Sequence, residues 1–134
     1  MDLDPKYIPI RSDTDIVEAR QAARAMAAQI GFAGTDLVLI ATAVSEIARN
    51  IIEYARPGEM VISPLIEGAR RGLSIVAQDN GPGIADVSRA FEEGYTTGRG
   101  LGLGLPGARR LMDEFEVMSK VDQGTIVRMK KWFE

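Results

Sequence analysis

The sequence predicts a single α/β domain. Two long stretches, residues 13–30 and 35–54, carry the periodicity of amphipathic helices, and five short apolar runs are typical of strands. A length of 134 residues suits one domain with a substantial core. Because there is no internal repeat, low-complexity tract or second-domain pattern, we expect one domain over residues 1–134.

The composition excludes several kinds of chemistry. The chain has no cysteine and no histidine, which removes disulfides, thiolate catalysis, Ser-His-Asp catalysis and most transition-metal sites. A net charge of −3 gives no electrostatic reason to expect nucleic acid as a partner. No run approaches the roughly 20 apolar residues of a membrane span, and the start carries no signal-peptide pattern. We therefore expect a cytoplasmic protein with no membrane partner, whose reactive groups are carboxylates, hydroxyls, amides, Lys, Arg or a hard cation.

The first half of the chain predicts an edge strand followed by two helices. Residues 7–11 form a short, partly alternating run that Pro9 restricts to a sheet edge. Residues 12–15 carry helix-start chemistry for helix 13–30, and Gly31 is a plausible stop. Helix 35–54 has an apolar stripe made of Leu37, Ile40, Ala41, Val44, Ala48, Ile51 and Ala55.

A polar stripe lies opposite that apolar stripe on the second helix. Glu46, Asn50 and Glu53 fall within about 40° of one another at 100° per residue. A solvated helix face would explain them, but Asn is a poor residue for the middle of a helix. Asn50 therefore favours a functional task for this stripe.

The next segment predicts two strands and a carboxylate at a strand end. Residues 60–67 form a strand in which Pro64 indicates an edge or bulge, and residues 68–72 form a hairpin-like connection. The buried strand over 73–78 ends at Asp79, before a turn in which Gly81 and Gly83 permit close approach by a ligand. The alternative is an ordinary Gly-Pro turn capped by the Asp79 side chain.

The last third combines a glycine-rich stretch with a closing hairpin. After a short helix at 86–91, residues 92–104 contain five glycines and lead into a helix over 105–112, which is typical of an anion site. A flexible linker is the alternative, although interleaved leucines are unusual in linkers. Residues 102–107 match G-x-G-x-x-G, but no strand precedes them, and no P-loop sequence exists. Strands at 115–119 and 125–129 complete the chain.

Three motifs in fixed order resemble those of the GHKL ATPases, the family of gyrase, Hsp90, histidine kinases and MutL. Glu46-x-x-x-Asn50 is similar to the N box, and residues 79–83 and 100–104 are similar to the two glycine boxes. Gly124-Thr125 is similar to the Gly-Thr pair of a late strand. Within the family, residues 46–55 and 94–107 look most like RsbT-type switch kinases of the stressosome.

The resemblance implies a Bergerat-type two-layer α/β sandwich, with a mixed, mostly antiparallel sheet and helices on one face. It implies an ATP site in which Asp79 accepts a hydrogen bond from the adenine amino group, Thr125 assists through water, and Asn50 binds Mg²⁺. Glu46 is then the general base for an incoming hydroxyl. Residues 92–104 would form a mobile lid on the phosphates, and its nucleotide-binding residues would be Arg99, Gly100, Leu101, Gly102, Leu103 and Gly104.

The function implied is a serine/threonine-protein kinase. It would transfer the ATP γ-phosphate to a serine of a STAS-domain antagonist in a partner-switching pathway, and a phosphatase regulator would be its second target after release. One alternative is an anti-sigma factor or ATP-binding adaptor that acts without obligatory catalysis. A water-directed ATPase is a further alternative. The substrate's identity and the oligomeric state do not follow from the sequence.

Overall fold

The computed structural model describes residues 3–55, 57–84 and 104–133. Three helices are described, α1 (Asp13–Ile30), α2 (Thr35–Tyr54) and α3 (Gly104–Leu111). The five described strands are β1 (Lys6–Ile10), β2 (Gly58–Glu67), β3 (Arg70–Asp79), β4 (Glu114–Lys120) and β5 (Gly124–Phe133). They form one sheet in the order β1-β2-β3-β5-β4, and each described pairing is antiparallel. This confirms the predicted α/β sandwich.

The core lies between this sheet and the helices α1 and α2. Alternate strand residues point toward the helices, and two apolar rows of these residues cross the sheet. One row consists of Ile8, Met60, Ala77, Val127 and Val117. The next consists of Ile62, Ile75, Met129 and Phe115. Since α1 and α2 both contact β1, β2 and β3, the helices cover this face of the sheet.

The two long helices begin and end where the sequence predicts. Asp15 accepts hydrogen bonds from the backbone N–H groups of Arg11 and Ser12, at 2.8 and 3.1 Å, so the start of α1 is fixed locally. After α1, the Gly31 N–H donates to the Ala27 carbonyl at 3.1 Å. Both ends of α1 therefore depend on contacts between residues close in sequence, which a sequence pattern can predict.

Four of the five described strands are longer than predicted, whereas β1 covers Lys6–Ile10 instead of residues 7–11. Arg70, Arg71 and Gly72 belong to β3, and the hairpin turn consists of residues 68 and 69 alone. The Arg70 guanidinium stacks 3.8 Å from the Trp132 ring centroid, and Arg71 stacks 4.6 Å from that of Phe133. These contacts between neighbouring strands stabilise charged residues that look like a connection in sequence.

The predictions for the two strand prolines are confirmed. Pro9 lies in β1, which is an edge strand of the described sheet. β1 pairs only with residues 58–62 of β2. Pro64 lies in the other half of β2, beyond these paired residues. Both prolines therefore occupy positions where one side of the strand lacks a described neighbour.

The other face of the sheet carries no described helix. Tyr7, Val61, Val76, Arg128 and Glu116 form one row across it, and Tyr7 is 66% exposed. Arg128 and Glu116 form an ion pair at 3.5 Å across β4 and β5. Among the described residues, no helix combines the length and apolar character needed to cross a membrane.

Candidate nucleotide site

A polar row crosses the end of the sheet on the face that the helices cover. Register places Gly58 beside Asp79, Asp79 beside Thr125, and Thr125 beside Ser119, on β2, β3, β5 and β4. Side chains of directly opposed residues lie about 5 Å apart at Cβ. Asp79 and Thr125, which are 46 positions apart in the chain, are therefore neighbours at the end of the sheet.

The C-terminal turn of α2 lies over this row. A Cβ added at Gly58 would meet Ile51 Cγ2 at 2.7 Å and the Gln78 carbonyl oxygen at 2.8 Å. A Cβ added at Gly81 would meet Ala55 Cβ at 2.5 Å. Glycines at these two positions therefore let the last turn of α2 pack directly against the sheet end and the following turn.

Asp79 also organises the turn that follows it. Its Oδ1 accepts a hydrogen bond from the Gly81 N–H at 2.9 Å, so the capped turn that the sequence offered as an alternative does form. This contact holds the half-buried carboxylate at the edge of the polar row. The turn and a ligand-binding role are compatible because a carboxylate has capacity for several hydrogen bonds.

The β4–β5 hairpin contacts the glycine turn after Asp79 on the side away from α2. The Asp122 N–H donates to the Pro82 carbonyl at 2.7 Å, and the Ile84 N–H donates to Ser119 Oγ at 2.7 Å. Gly83 has φ +76°, and a Cβ there would overlap the Lys120 carbonyl oxygen. The glycine turn is thus held on one side by α2 and on the other by residues from the end of the chain.

Ser119 is a site residue that the sequence reasoning missed. Its Oγ lies 3.1 Å from the Gly124 carbonyl oxygen and 2.8 Å from Thr125 Oγ1, in addition to accepting from Ile84. One signal was available: Phe115 and Val117 precede Ser119 at alternating positions, which makes Ser119 a polar residue on the inward side of the strand.

Glu46 is buried, so the solvated helix face considered as an alternative is wrong for this residue. Only 7% of Glu46 is exposed, and its Oε1 pairs with Arg49 Nη1 at 3.0 Å. Asn50 is half-buried, and Glu53 alone of the polar stripe is exposed. Because α1, α3 and the sheet all contact α2, its middle is enclosed on more sides than the apolar stripe predicts.

The second glycine box lies mostly outside the described residues. The predicted short helix at 86–91, Arg99, Gly100, Leu101, Gly102 and Leu103 all fall in the part of the chain that is not described. Gly104 is the first residue of α3, in agreement with a glycine stretch that leads into a helix. Leu105 and Ala108 are buried in the core cluster, and α3 packs on α2.

The described residues contain no group of three or more His, Cys, Asp or Glu side chains that could hold a metal ion. Mg²⁺ commonly binds through one or two protein oxygens together with substrate phosphates. The Asn50 amide oxygen, one helical turn from the Glu46 carboxylate, fits that smaller requirement.

Comparisons with known proteins show which chains this one is similar to. A family model described as a histidine kinase-like ATPase domain matches residues 10–131. The chain is 44% identical over 129 residues to the serine/threonine-protein kinase RsbT of Bacillus subtilis (strain 168), covering 96% of this chain and 97% of the relative. It is also 36% identical over 120 residues to an anti-sigma F factor of Anoxybacillus flavithermus (strain DSM 21510 / WK1), covering 84% and 81%. An anti-sigma F factor of Thermoanaerobacter sp. (strain X514) is 33% identical over 120 residues, covering 85% and 82%.

Proposed function

The chain belongs to the histidine kinase-like ATPase domain family, and from this we propose that it is an ATP-dependent serine/threonine-protein kinase. The observation that carries the proposal is the buried, ion-paired Glu46 one helical turn before Asn50, on the helix whose last turn covers the polar row. This spacing places a buried carboxylate beside the proposed Mg²⁺ ligand, where it would accept a proton from an incoming hydroxyl.

The polar row would bind the base of the nucleotide. Asp79 accepts a hydrogen bond from the adenine amino group, and Thr125 lies next to it in the same row. Gly81 and Gly83 would support the site by keeping the turn in place, because a Cβ at either position would collide with Ala55 or with the Lys120 carbonyl oxygen. This assignment is supported by the position of the row at the end of the sheet and by the close packing of α2 over it.

The phosphates would lie toward α3. The N-terminus of a helix carries a partial positive charge and free N–H groups that favour anions. We assign the phosphate contacts to Gly100, Leu101, Gly102, Leu103, Gly104 and Arg99. Asn50 would hold Mg²⁺, which neutralises phosphate charge when it is bound. In phosphoryl transfer, positioning and charge neutralisation supply most of the catalysis.

Glu46 would be the general base toward the incoming serine hydroxyl. The charge-assisted hydrogen bond from Arg49 uses Oε1 and fixes the orientation of the carboxylate. Oε2 then remains for the hydroxyl proton.

The protein substrate would be a serine on a small STAS-domain antagonist of a cytoplasmic, stressosome-type pathway. The relative named RsbT supports a kinase of this class. Phosphorylation adds about −1.5 to −2 charge and would weaken the complex through repulsion and desolvation. The released kinase would then bind a phosphatase regulator as its second target.

A second candidate is an anti-sigma factor that binds ATP and sequesters its partner. The relatives named anti-sigma F factor, at 33–36% identity, favour it. Phosphotransfer distinguishes the two roles because sequestration alone leaves the partner unmodified. A sigma-factor complex that outlives every STAS-protein complex would support this second role.

Three variants test the kinase assignment with labelled MgATP and small STAS-domain proteins as acceptors. Glu46→Gln should lower phosphotransfer by about 10²- to 10⁴-fold and leave ATP affinity within a few-fold, as expected for a lost general base. Asn50→Ala should weaken binding of MgATP more than binding of Mg²⁺-free ATP. Glu53→Gln is the matched control because Glu53 is exposed on the same helix. Full transfer by Glu46→Gln would contradict the assigned base.

A further inference from the structure

An exposed ridge runs along α2 beside Glu46. At about 100° per residue, Val38, Thr42 and Arg49 fall about 40–80° to one side of Glu46, whereas Asn50 falls about 40° to the other side. These three residues are called the α2 ridge below. Val38 is 54% exposed, Thr42 is half-buried, and the Arg49 side chain is 37% exposed. The ridge therefore reaches solvent, whereas Glu46 beside it is buried.

The ridge lies on the side of Glu46 that faces away from the nucleotide. Asn50 is the proposed Mg²⁺ ligand, so the phosphates are assigned to its side of the base. In phosphoryl transfer, the attacking and leaving oxygens lie roughly in line on opposite sides of the phosphorus. An acceptor serine would therefore approach Glu46 past the α2 ridge rather than past Asn50.

Arg49 has hydrogen-bonding capacity for such an acceptor. A guanidinium carries five N–H donors. Its contact with Glu46 joins Nη1 to Oε1 at 3.0 Å, which uses one of them. The other donors are suited to carbonyl, hydroxyl or carboxylate oxygens of a partner. Arg49 can therefore bind the base and an incoming protein segment at the same time.

The other half of the ridge suits an apolar contact. Val38 is one of the large apolar side chains that the described residues expose. The Thr42 hydroxyl donates to the Val38 carbonyl at 2.8 Å, so its proton is already used within the helix. A partner that covers Val38 and Thr42 would bury apolar area without leaving that proton unpaired.

We propose that the α2 ridge is the docking surface for the acceptor segment of the protein substrate, with Arg49 binding an oxygen beside the acceptor serine and Val38 covering an apolar side chain. This inference rests on the proposed kinase function. At 1.5 Å per residue, Arg49 lies about 5 Å from Glu46 along the helix axis, and Val38 lies about 12 Å away in the other direction. The segment that fits carries a serine, an oxygen-bearing group about 5 Å to one side and an apolar side chain about 12 Å to the other.

The first test measures binding without chemistry, in a Glu46→Gln background with MgATP and small STAS-domain proteins as probes. The carboxylate that Arg49 orients is absent there, so a further loss of acceptor affinity reports contact with the acceptor. Arg49→Met should weaken acceptor binding in calorimetry by about 10- to 100-fold, the effect of a hydrogen bond to a charged group. Arg49→Lys should recover part of this loss. Arg128→Met is the matched control because Arg128 is ion-paired with Glu116 on the other face of the sheet.

The second test uses the apolar half of the ridge in the same background. Val38→Asp should weaken acceptor binding by about 10-fold or more, because a buried valine contact is lost and a charge is placed in the interface. Ile66→Asp is the matched control, since Ile66 is 58% exposed in the part of β2 remote from the polar row. ATP affinity should stay unchanged in these variants, which separates lost docking from lost folding.

The outcomes distinguish this inference from the function on which it rests. A parent protein that binds ATP but phosphorylates no STAS-domain protein would overturn the proposed function together with the inference. A parent that phosphorylates such a protein, combined with an Arg49→Met or Val38→Asp variant that binds it as tightly as the Glu46→Gln background, would overturn the inference alone. Equal losses of acceptor affinity in Arg49→Met and Arg128→Met would also overturn it.

Discussion

Gly124 occupies a position where an added methyl group would separate two strands at the polar row. Its φ is +99°, and a Cβ there would overlap the Asp79 carbonyl oxygen and approach Asn80 Cα at 2.8 Å. These neighbours are backbone atoms, so they cannot turn away as a flexible side chain would. Gly124→Ala should therefore move β5 away from β3 beside the proposed base-binding carboxylate.

The magnitude follows from two costs that act together. A left-handed conformation costs a non-glycine residue about 1–2 kcal/mol, and forcing a methyl into filled space costs about 1–3 kcal/mol. Gly124→Ala should therefore destabilise the fold by roughly 2–5 kcal/mol. Gly68→Ala is the matched control, because Gly68 has φ +60° and nothing lies within 4 Å of its added Cβ. It should show only the conformational cost.

Thermal unfolding followed by circular dichroism measures both variants. At this chain length, 1 kcal/mol corresponds to about 3–5 °C in Tm. Gly68→Ala should lower Tm by roughly 3–10 °C and leave ATP affinity unchanged, whereas Gly124→Ala should lower Tm further and weaken ATP binding. Equal Tm losses in the two variants would refute the close backbone contact at Gly124 as the source of the difference.

Two other substitutions test the base-binding carboxylate and a stacking contact. Asp79→Asn keeps an Oδ1 for the Gly81 N–H, so the turn should survive while ATP affinity falls about 5- to 150-fold in calorimetry. Equal affinity of the parent for ATP and GTP would count against the adenine assignment. Arg70→Ala removes the cation stacked on Trp132 and should cost about 0.5–1 kcal/mol in urea unfolding. Arg70→Lys should recover part of this loss in stability. Equal stability of the Ala and Lys variants would show that the stacked charge does not stabilise the fold.

The sequence predicts those features of the fold that depend on near neighbours. The start of α1 rests on Asp15 and its end on a contact of Gly31, so both are visible within a few residues. The start of β3 depends instead on Trp132 and Phe133, which lie about 60 residues further along the chain. No local pattern predicts that Arg70 and Arg71 lie in a strand.

The candidate site also combines features that the sequence predicts with features that depend on distant parts of the chain. Asp79 and Glu46 carry motif signals, but the burial of Glu46 depends on packing of α2 against α1, α3 and the sheet. Ser119 belongs to the polar row only because β4 and β5 pair in one register, and a shift of one residue would turn it to the other face. Register between strands is a property of the assembled sheet, so the alternation within β4 indicates that Ser119 faces inward but not that Thr125 lies beside it.

The strand order has a consequence for how the chain folds during synthesis. β3 pairs with β2 on one side and with β5 on the other, and β5 is the last described strand to leave the ribosome. Until β5 emerges, Asp79 lacks Thr125 beside it, and the Gly81–Ile84 turn lacks its contacts with Ser119 and Asp122. A nascent chain would therefore carry both long helices before it could complete the nucleotide site. Competence to bind the nucleotide base should therefore arrive in one late step of synthesis.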